Sequence, residues 1–180
     1  MSLHTVGHGT LAATAFATLL DDAGIQRVVD VRAFPGSRHN PQFGRAEMEQ
    51  WIPAAGLDYA WLRELGGRRK PRPDSKHVAL RNDAFRAYAD YMETVEFREA
   101  VDELLAVVGT EPATVMCSES VWWRCHRRLI ADHLELVRGV GVVHLMHDGR
   151  VTPHVPTEGV RLAGDSLVYD VGTTPSLSMR

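Results

Sequence analysis

Short apolar runs alternate with amphipathic segments along most of the chain. The apolar runs predict buried strands at residues 3–6, 25–31, 57–62, 114–116, 141–146, 151–155 and 166–169. Helical spacing of apolar side chains predicts helices after Thr10, over 45–54, over 83–93, from Thr94 onward and from Val121 onward. Because strands and helices alternate, we predict an α/β fold: a mostly parallel sheet with helices on both faces, in a Rossmann-like three-layer sandwich.

The ends of several predicted elements carry specific signals. Thr10 and Ser120 are expected to cap the helices that follow them, because a hydroxyl at the N-cap accepts a backbone N–H of the first turn. Asp148-Gly149 predicts a two-residue turn, so we expect a C-terminal β-hairpin, with residues 166–169 as a last edge strand. Residues 1–172 are expected to form a single α/β domain and residues 173–180 a flexible tail.

Composition narrows the class of protein. A chain of 180 residues, 44% hydrophobic and 24% charged, is long enough for one domain with a real core. The net charge of −3 predicts no general affinity for polyanions, so a nucleic acid would have to meet a local basic patch. The sequence has neither a membrane-length apolar run nor a signal-peptide pattern, so we expect a cytoplasmic protein with no membrane partner and two free thiols.

The densest group of reactive side chains follows the predicted strand 114–116. Cys117 and Glu119 come directly after this strand, and Cys125, His126 and Arg127 lie in the next segment. Ligands of open α/β sheets bind at the carboxyl ends of strands, beside helix N-termini that attract negative charge. The other predicted ligand contacts at this edge of the sheet are Gly7, His8, Asp30, Arg32, Ser37 and His154.

One loop of the chain is strongly basic. Six Lys and Arg residues lie between Arg63 and Lys76, in a stretch with no apolar periodicity. Its paired glycines allow a close approach to the backbone, and its cations can neutralise phosphates. We predict that Arg68, Arg69 and Lys70 form a rim that contacts nucleic acid.

Three chemistries can use the reactive group. A thiolate at Cys117 would be favoured by the helix dipole and nearby arginines, although Glu119 would repel an anionic substrate. A metal ion could bind Cys117, Cys125 and His126, together with His8 or His154. Adjacent residues of a helix point about 100° apart, which disfavours joint ligation by Cys125 and His126, so no metal site is predicted.

The third chemistry, a carboxylate site, is the one that we favour. Glu119, assisted by Asp30, would act as a general base or bind a sugar hydroxyl, while His126 and Arg127 would hold a phosphate. The two cysteines would then be small packing residues. The catalytic candidates are therefore Glu119 and Asp30, with Cys117 and His126 as the alternatives.

Motifs spread over most of the chain occur together in one known family. They are Val6-Gly-His8, Asp30-Val-Arg32 with Pro35 and Ser37, Leu65-Gly-Gly67, the stretch from Phe85 to Met92, Cys117-Ser-Glu119 and Cys125-His-Arg127. By these motifs the chain resembles domain-of-unknown-function family 488, from the first strand through Pro153-His154. The resemblance implies a site at Asp30, Arg32, Ser37, Cys117, Glu119, Cys125, His126 and Arg127. Members of this family are sometimes labelled as DNA-repair proteins.

Together these observations predict an enzyme, a hydrolase or transferase, that acts on a nucleotide or nucleic acid through a carboxylate and arginine site. A module that binds the same ligands without catalysis is the main alternative, and a thiolate-dependent transferase or phosphatase using Cys117 is the second. The sequence identifies no cofactor and no oligomeric state.

Overall fold

A computed structural model describes residues 2–36 and 38–172, and it centres on a six-stranded sheet. The strands are β1 (Leu3–Gly7), β2 (Arg27–Asp30), β3 (Asp58–Trp61), β4 (Ala113–Cys117), β5 (Val142–Leu145) and β6 (Val151–Pro153). Their order across the sheet is β3-β2-β4-β1-β5-β6, and all neighbours are parallel except β5 and β6. The predicted mostly parallel sheet is confirmed.

Helices cover both faces of this sheet. They are α1 (Ala13–Asp22), α2 (Arg45–Ala54), α3 (Asp83–Tyr91), α4 (Val95–Val108) and α5 (Arg127–Leu136). Val28 and Met116 point into one core, with α1 and α2, whereas Val29 and Val115 point into the other, with α3, α4 and α5. Successive strand residues face opposite sides, so each central strand contributes to both cores. The expected α/β fold with helices on both faces is therefore confirmed.

Two strands near the C-terminal end of the described chain form a separate small sheet. They are β7 (Val160–Ala163) and β8 (Ser166–Tyr169), which pair in antiparallel register. Leu167 and Tyr169 pack into the core that α3, α4 and α5 share. The hairpin predicted at Asp148-Gly149 is confirmed, because β5 and β6 pair in antiparallel register on either side of that turn. Residues 166–169 do not form an edge strand of the main sheet, because they pair with β7 in the separate second sheet.

Two predicted helix starts are wrong. The first helix begins at Ala13 rather than after Thr10, and no side chain caps it. The segment from Val121 begins with a short 3-10 helix, Trp122–Arg124, and α5 starts only after an extended residue, Cys125. Ser120 therefore caps no helix. The apolar spacing from Val121 did not reveal this break, because it arises where Cys125 turns toward other side chains of the site.

The single domain and its tail stay predictions, and residues 173–180 lie outside the described residues. None of the helices in the described part of the chain has both the length and the apolar content that a membrane crossing requires.

Candidate functional site

A cavity opens at the carboxyl ends of β1, β2 and β4. From β1 the chain continues into α1 on one face of the sheet, whereas from β4 it continues toward α5 on the other. Such a divergence leaves a crevice between neighbouring strands, where α/β proteins bind their ligands. The cavity has a volume of about 670 Å³. Its lining includes His8, Arg32, Phe34, Gly67, Arg68, Phe85, Cys117, Glu119, Arg124, Cys125 and His126.

Two thiols and an imidazole meet in the wall of this cavity. The Nδ1 atom of His126 lies 3.6 Å from the Cys125 Sγ and 3.9 Å from the Cys117 Sγ. The three ligand atoms all lie within 4.8 Å of one another, and both cysteines are free thiols. Sequence reasoning named these residues but did not place their reactive atoms together.

The ring of His126 is fixed in orientation. Its Nε2 atom lies 3.2 Å from the carbonyl oxygen of Val31, and because a carbonyl only accepts, Nε2 carries the proton. With Nε2 bonded to this carbonyl, Nδ1 is the ring nitrogen that faces the two sulfurs. Tyr88 packs edge-on to the ring at 5.1 Å, and a Cβ at Gly67 would come within 2.6 Å of Nδ1. Any larger residue at position 67 would clash with the ring, so this close packing requires glycine.

Cys125 reaches the cluster because its backbone is extended, at φ −119° and ψ 150°. Its carbonyl accepts the amide N–H of Arg128 at 3.0 Å, so it occupies the junction at which α5 begins. Cys125 and His126 are therefore not consecutive residues of one regular helix. The helical geometry that argued against joint ligation by these two side chains does not apply here.

The two thiols differ in acidity because they share a hydrogen bond. A bond from Cys117, together with the nearby Arg127, lowers the pKa of Cys125 to about 6. The same bond to Cys125, together with burial, raises the pKa of Cys117 to about 12. Cys125, rather than the Cys117 of the sequence prediction, is thus the more acidic thiol.

Asp30 and Arg32 form one rigid unit behind the cavity. The Asp30 carboxylate accepts hydrogen bonds from the Arg32 guanidinium at 2.9 and 2.6 Å, from the Arg32 amide at 3.0 Å and from the Tyr59 hydroxyl at 2.8 Å. Arg32 also donates to the Nε2 atom of His8 at 3.1 Å. Burial, with the charge of Arg32, lowers the pKa of His8 to about 4. The Asp30 carboxylate therefore positions Arg32, and Arg32 in turn contacts His8.

Glu119 is held at the side of the cavity by its own loop. Its carboxylate accepts the backbone N–H of Val121 at 3.1 Å, and its backbone carbonyl accepts a bond from the Arg127 guanidinium. Arg127 is buried, also contacts Thr5 at 3.2 Å, and does not line the cavity. Gly7 lies beneath this contact, where a Cβ would come within 1.8 Å of the Glu119 carbonyl oxygen. Gly7 and Arg127 thus support the loop from below.

The mouth of the cavity combines an exposed aromatic ring with cations. Phe34 is 63% exposed, and the guanidinium groups of Arg63 and Arg68 lie 5.9 and 5.7 Å from the centre of its ring. Arg124 lines the same cavity from the 3-10 helix. Arg69 instead stacks on Tyr91 at 3.4 Å and donates to backbone carbonyls. Of the predicted basic rim, Arg68 lines the cavity, while Lys70 is exposed outside it.

His154 and Ser37 complete the set of predicted residues. His154 is buried away from the cavity, where it contacts Asp132 at 2.8 Å and His144 at 3.0 Å. Ser37 lies outside the described residues. Sequence reasoning missed Phe34 altogether. Its signal was an aromatic residue between Arg32 and Pro35, in a loop already predicted to contact ligands.

Comparison with known families agrees with the site motifs. The family model described as "Domain of unknown function DUF488" matches residues 12–134, which include Asp30, Arg32, Cys117, Glu119 and the Cys125-His126-Arg127 run. The chain belongs to this family. No curated protein and no solved structure matches it.

Proposed function

We propose that this member of the DUF488 family is an enzyme that acts on a nucleotide, or on a nucleotide unit of a nucleic acid, bound in the cavity. The observation that carries the proposal is the stacking and cationic mouth formed by Phe34, Arg68 and Arg124, above a wall that holds Cys117, Cys125 and His126. A volume of about 670 Å³ falls in the range of small-molecule and cofactor sites.

The mouth supports a ligand with both a planar ring and negative charge. Phe34 is 63% exposed, and an exposed ring of this kind offers a surface on which a base can stack. Arg68 beside that ring and Arg124 on the cavity wall can both reach a phosphate. A purely apolar ligand would offer these guanidinium groups no negative charge to bind.

The wall supports catalysis rather than binding alone. Glu119 is the carboxylate that lines the cavity, and it can act as the general base of a hydrolase or transferase. Asp30 acts as a positioning residue in this proposal, because its carboxylate accepts hydrogen bonds from Arg32 and Tyr59. Bringing two thiols and an imidazole to the same wall has no packing advantage over apolar side chains.

A nucleic-acid substrate, and with it a role in DNA repair, is the more specific form of the proposal. The chain carries a net charge of −3, so a polynucleotide would depend on local cations such as Arg68 and Lys70. Arg69 contributes less, since its guanidinium is stacked on Tyr91. A free nucleotide requires only the cavity itself.

Calorimetry with the four ribonucleoside 5′-monophosphates and a short oligothymidylate tests the proposal. We expect Phe34→Ala and Arg68→Ala each to weaken binding about tenfold, as loss of one stacking or charged contact does. Arg72→Ala is the matched control, because Arg72 lies in the same basic loop but pairs with exposed Asp74. Equal affinity in all three variants, or no binding of any probe, would refute the proposal.

Turnover separates an enzyme from a binding module. Product analysis by chromatography, with each bound probe and water as co-substrate, is compared between the wild type and Glu119→Gln. Conversion by the wild type that falls at least about a hundredfold in the variant, with binding retained, is the expected result for loss of a general base. Binding without any conversion would support the non-catalytic alternative.

A further inference from the structure

We propose that Cys117, Cys125 and His126 bind a zinc ion through two sulfurs and one nitrogen, with the fourth coordination position open to the cavity. The inference deepens the proposed function, because it assigns a metal to the wall of the same cavity. It rests on the arrangement of three side chains and needs no knowledge of the substrate.

The two sulfur–nitrogen distances in the cluster are close to those around a tetrahedral zinc ion. Bond lengths of about 2.3 Å to sulfur and about 2.0 Å to nitrogen place a sulfur and a nitrogen about 3.5 Å apart across one ion. The Nδ1 atom of His126 lies 3.6 Å from one sulfur and 3.9 Å from the other. Small shifts of the two thiols therefore suffice to admit the ion.

The second nitrogen of His126 supports the same assignment. A metal-binding histidine commonly donates its other ring N–H to a carbonyl or carboxylate, which fixes the tautomer and aims the free nitrogen at the metal. His126 makes this bond to the carbonyl of Val31, at 3.2 Å. Gly67 and Tyr88 pack against the ring, so its orientation is fixed even without a bound ligand.

The supporting elements are rigid as well. Cys117 is the last residue of β4, and Cys125 is fixed at the start of α5, so neither sulfur lies in a free loop. Both cysteines are at most 6% exposed. Buried thiolates select soft or borderline metals, and the pair cannot hold calcium or magnesium, which require oxygen ligands.

Three protein ligands point to a site with an open position. Structural zinc sites take four protein ligands, whereas reactive ones take three and leave the fourth position to water or substrate. In the described part of the chain, Cys117, Cys125 and His126 are the one group of three or more such side chains with this spacing. All three line the cavity, so the open position faces the proposed substrate.

The test uses untagged, reduced protein, free of nucleotide. Elemental analysis of protein expressed with zinc is expected to give about one equivalent of the metal. Cobalt(II) added to the metal-free protein should give a sulfur-to-cobalt charge-transfer band in the near ultraviolet. Since the chain has only two cysteines, that band reports this site alone. Cys117→Ser and Cys125→Ser should each lose about half of its intensity, and the double variant all of it.

His39→Ala is the control, because His39 is an exposed histidine outside the cluster, and it should bind cobalt as the wild type does. His126→Ala should weaken zinc binding at least about tenfold. Failure of reduced wild-type protein to take up either metal, or full zinc binding by the double cysteine variant, would overturn the proposal. The wild-type result stands even if a variant fails to fold. Because no nucleotide is present, a failed metal test leaves the nucleotide-binding result untouched, and the reverse also holds.

Discussion

The Arg32 guanidinium donates two hydrogen bonds to the Asp30 carboxylate, at 2.9 and 2.6 Å, within the buried end of β2. Their side chains are 6% and 0% exposed, so water has little access to either charge. The Asp30 carboxylate also accepts the Tyr59 hydroxyl. The pair therefore fixes the side of the cavity from which Arg32 contacts His8.

Asp30→Asn should destabilise the fold, because it leaves the Arg32 charge buried without its partner. The expected loss in the free energy of unfolding is about 3 kcal/mol, measured by urea denaturation. Asp58→Asn is the control, since Asp58 also pairs with an arginine, Arg27, but is 63% exposed. Its loss should stay below about 1 kcal/mol. Equal losses in the two variants would show that the buried Asp30–Arg32 pair stabilises the fold no more than the exposed pair does.

Gly7→Ala should displace the loop that carries Glu119. A Cβ at Gly7 would come within 1.8 Å of the Glu119 carbonyl oxygen, a backbone atom that cannot rotate away. We expect a loss of about 2 kcal/mol in thermal or urea unfolding, typical of overpacking. At Gly36 a Cβ would meet nothing within 4 Å, so Gly36→Ala should be close to neutral. A neutral Gly7→Ala would contradict the described contact between β1 and this loop.

His133 should make the protein sensitive to acid. Burial, together with Arg138 and Arg98, lowers the pKa of His133 to about 4, against 6.5 in the unfolded chain. The folded state therefore binds fewer protons, and stability that is complete above about pH 6.5 is lost as the pH falls toward about 4. The loss at pH 4.5 is roughly 2 to 3 kcal/mol.

His133→Phe removes this titration, and the new ring can pack against Phe97, which His133 contacts at 5.0 Å. The difference in unfolding free energy between pH 7 and pH 4.5 should shrink by roughly 2 kcal/mol relative to the wild type. Substitution of the exposed His39 by phenylalanine is the matched control for adding a phenylalanine ring. An undiminished difference in His133→Phe would mean that other groups govern acid unfolding.

The sequence was sufficient for the order of the elements other than β7, which was not predicted, and for α2, whose bounds match the predicted 45–54. Apolar periodicity shows which side chains are buried. The strands and the helices that cover them all bury apolar side chains, so this pattern reveals them. It could not show that 166–169 pairs with β7, because strand pairing depends on contacts distant in sequence. Nor could it show the extended Cys125, since that conformation depends on where β4 places Cys117.

The sequence indicated which residues lie close together better than it indicated what each of them does. Cys117, Glu119 and Arg32, which the sequence places at or just after strand ends, line one cavity. Their roles depend on partners that spacing does not reveal. Arg127 supports the Glu119 loop from beneath, and His154 bonds to Asp132 in a buried network.

If the mouth and the wall of the cavity serve one ligand, as we propose, a bound nucleotide should protect the two thiols. Metal-free, reduced protein is treated with iodoacetamide, and intact mass counts alkylation of its two cysteines. Saturation with the tightest-binding nucleoside monophosphate should slow alkylation at least about tenfold, as occupancy of a shared site by mass action requires. Phe34→Ala at the same nucleotide concentration should be less protected. An alkylation rate unchanged by bound nucleotide would place the ligand away from Cys117 and Cys125, and the mouth and the wall would then not share one ligand.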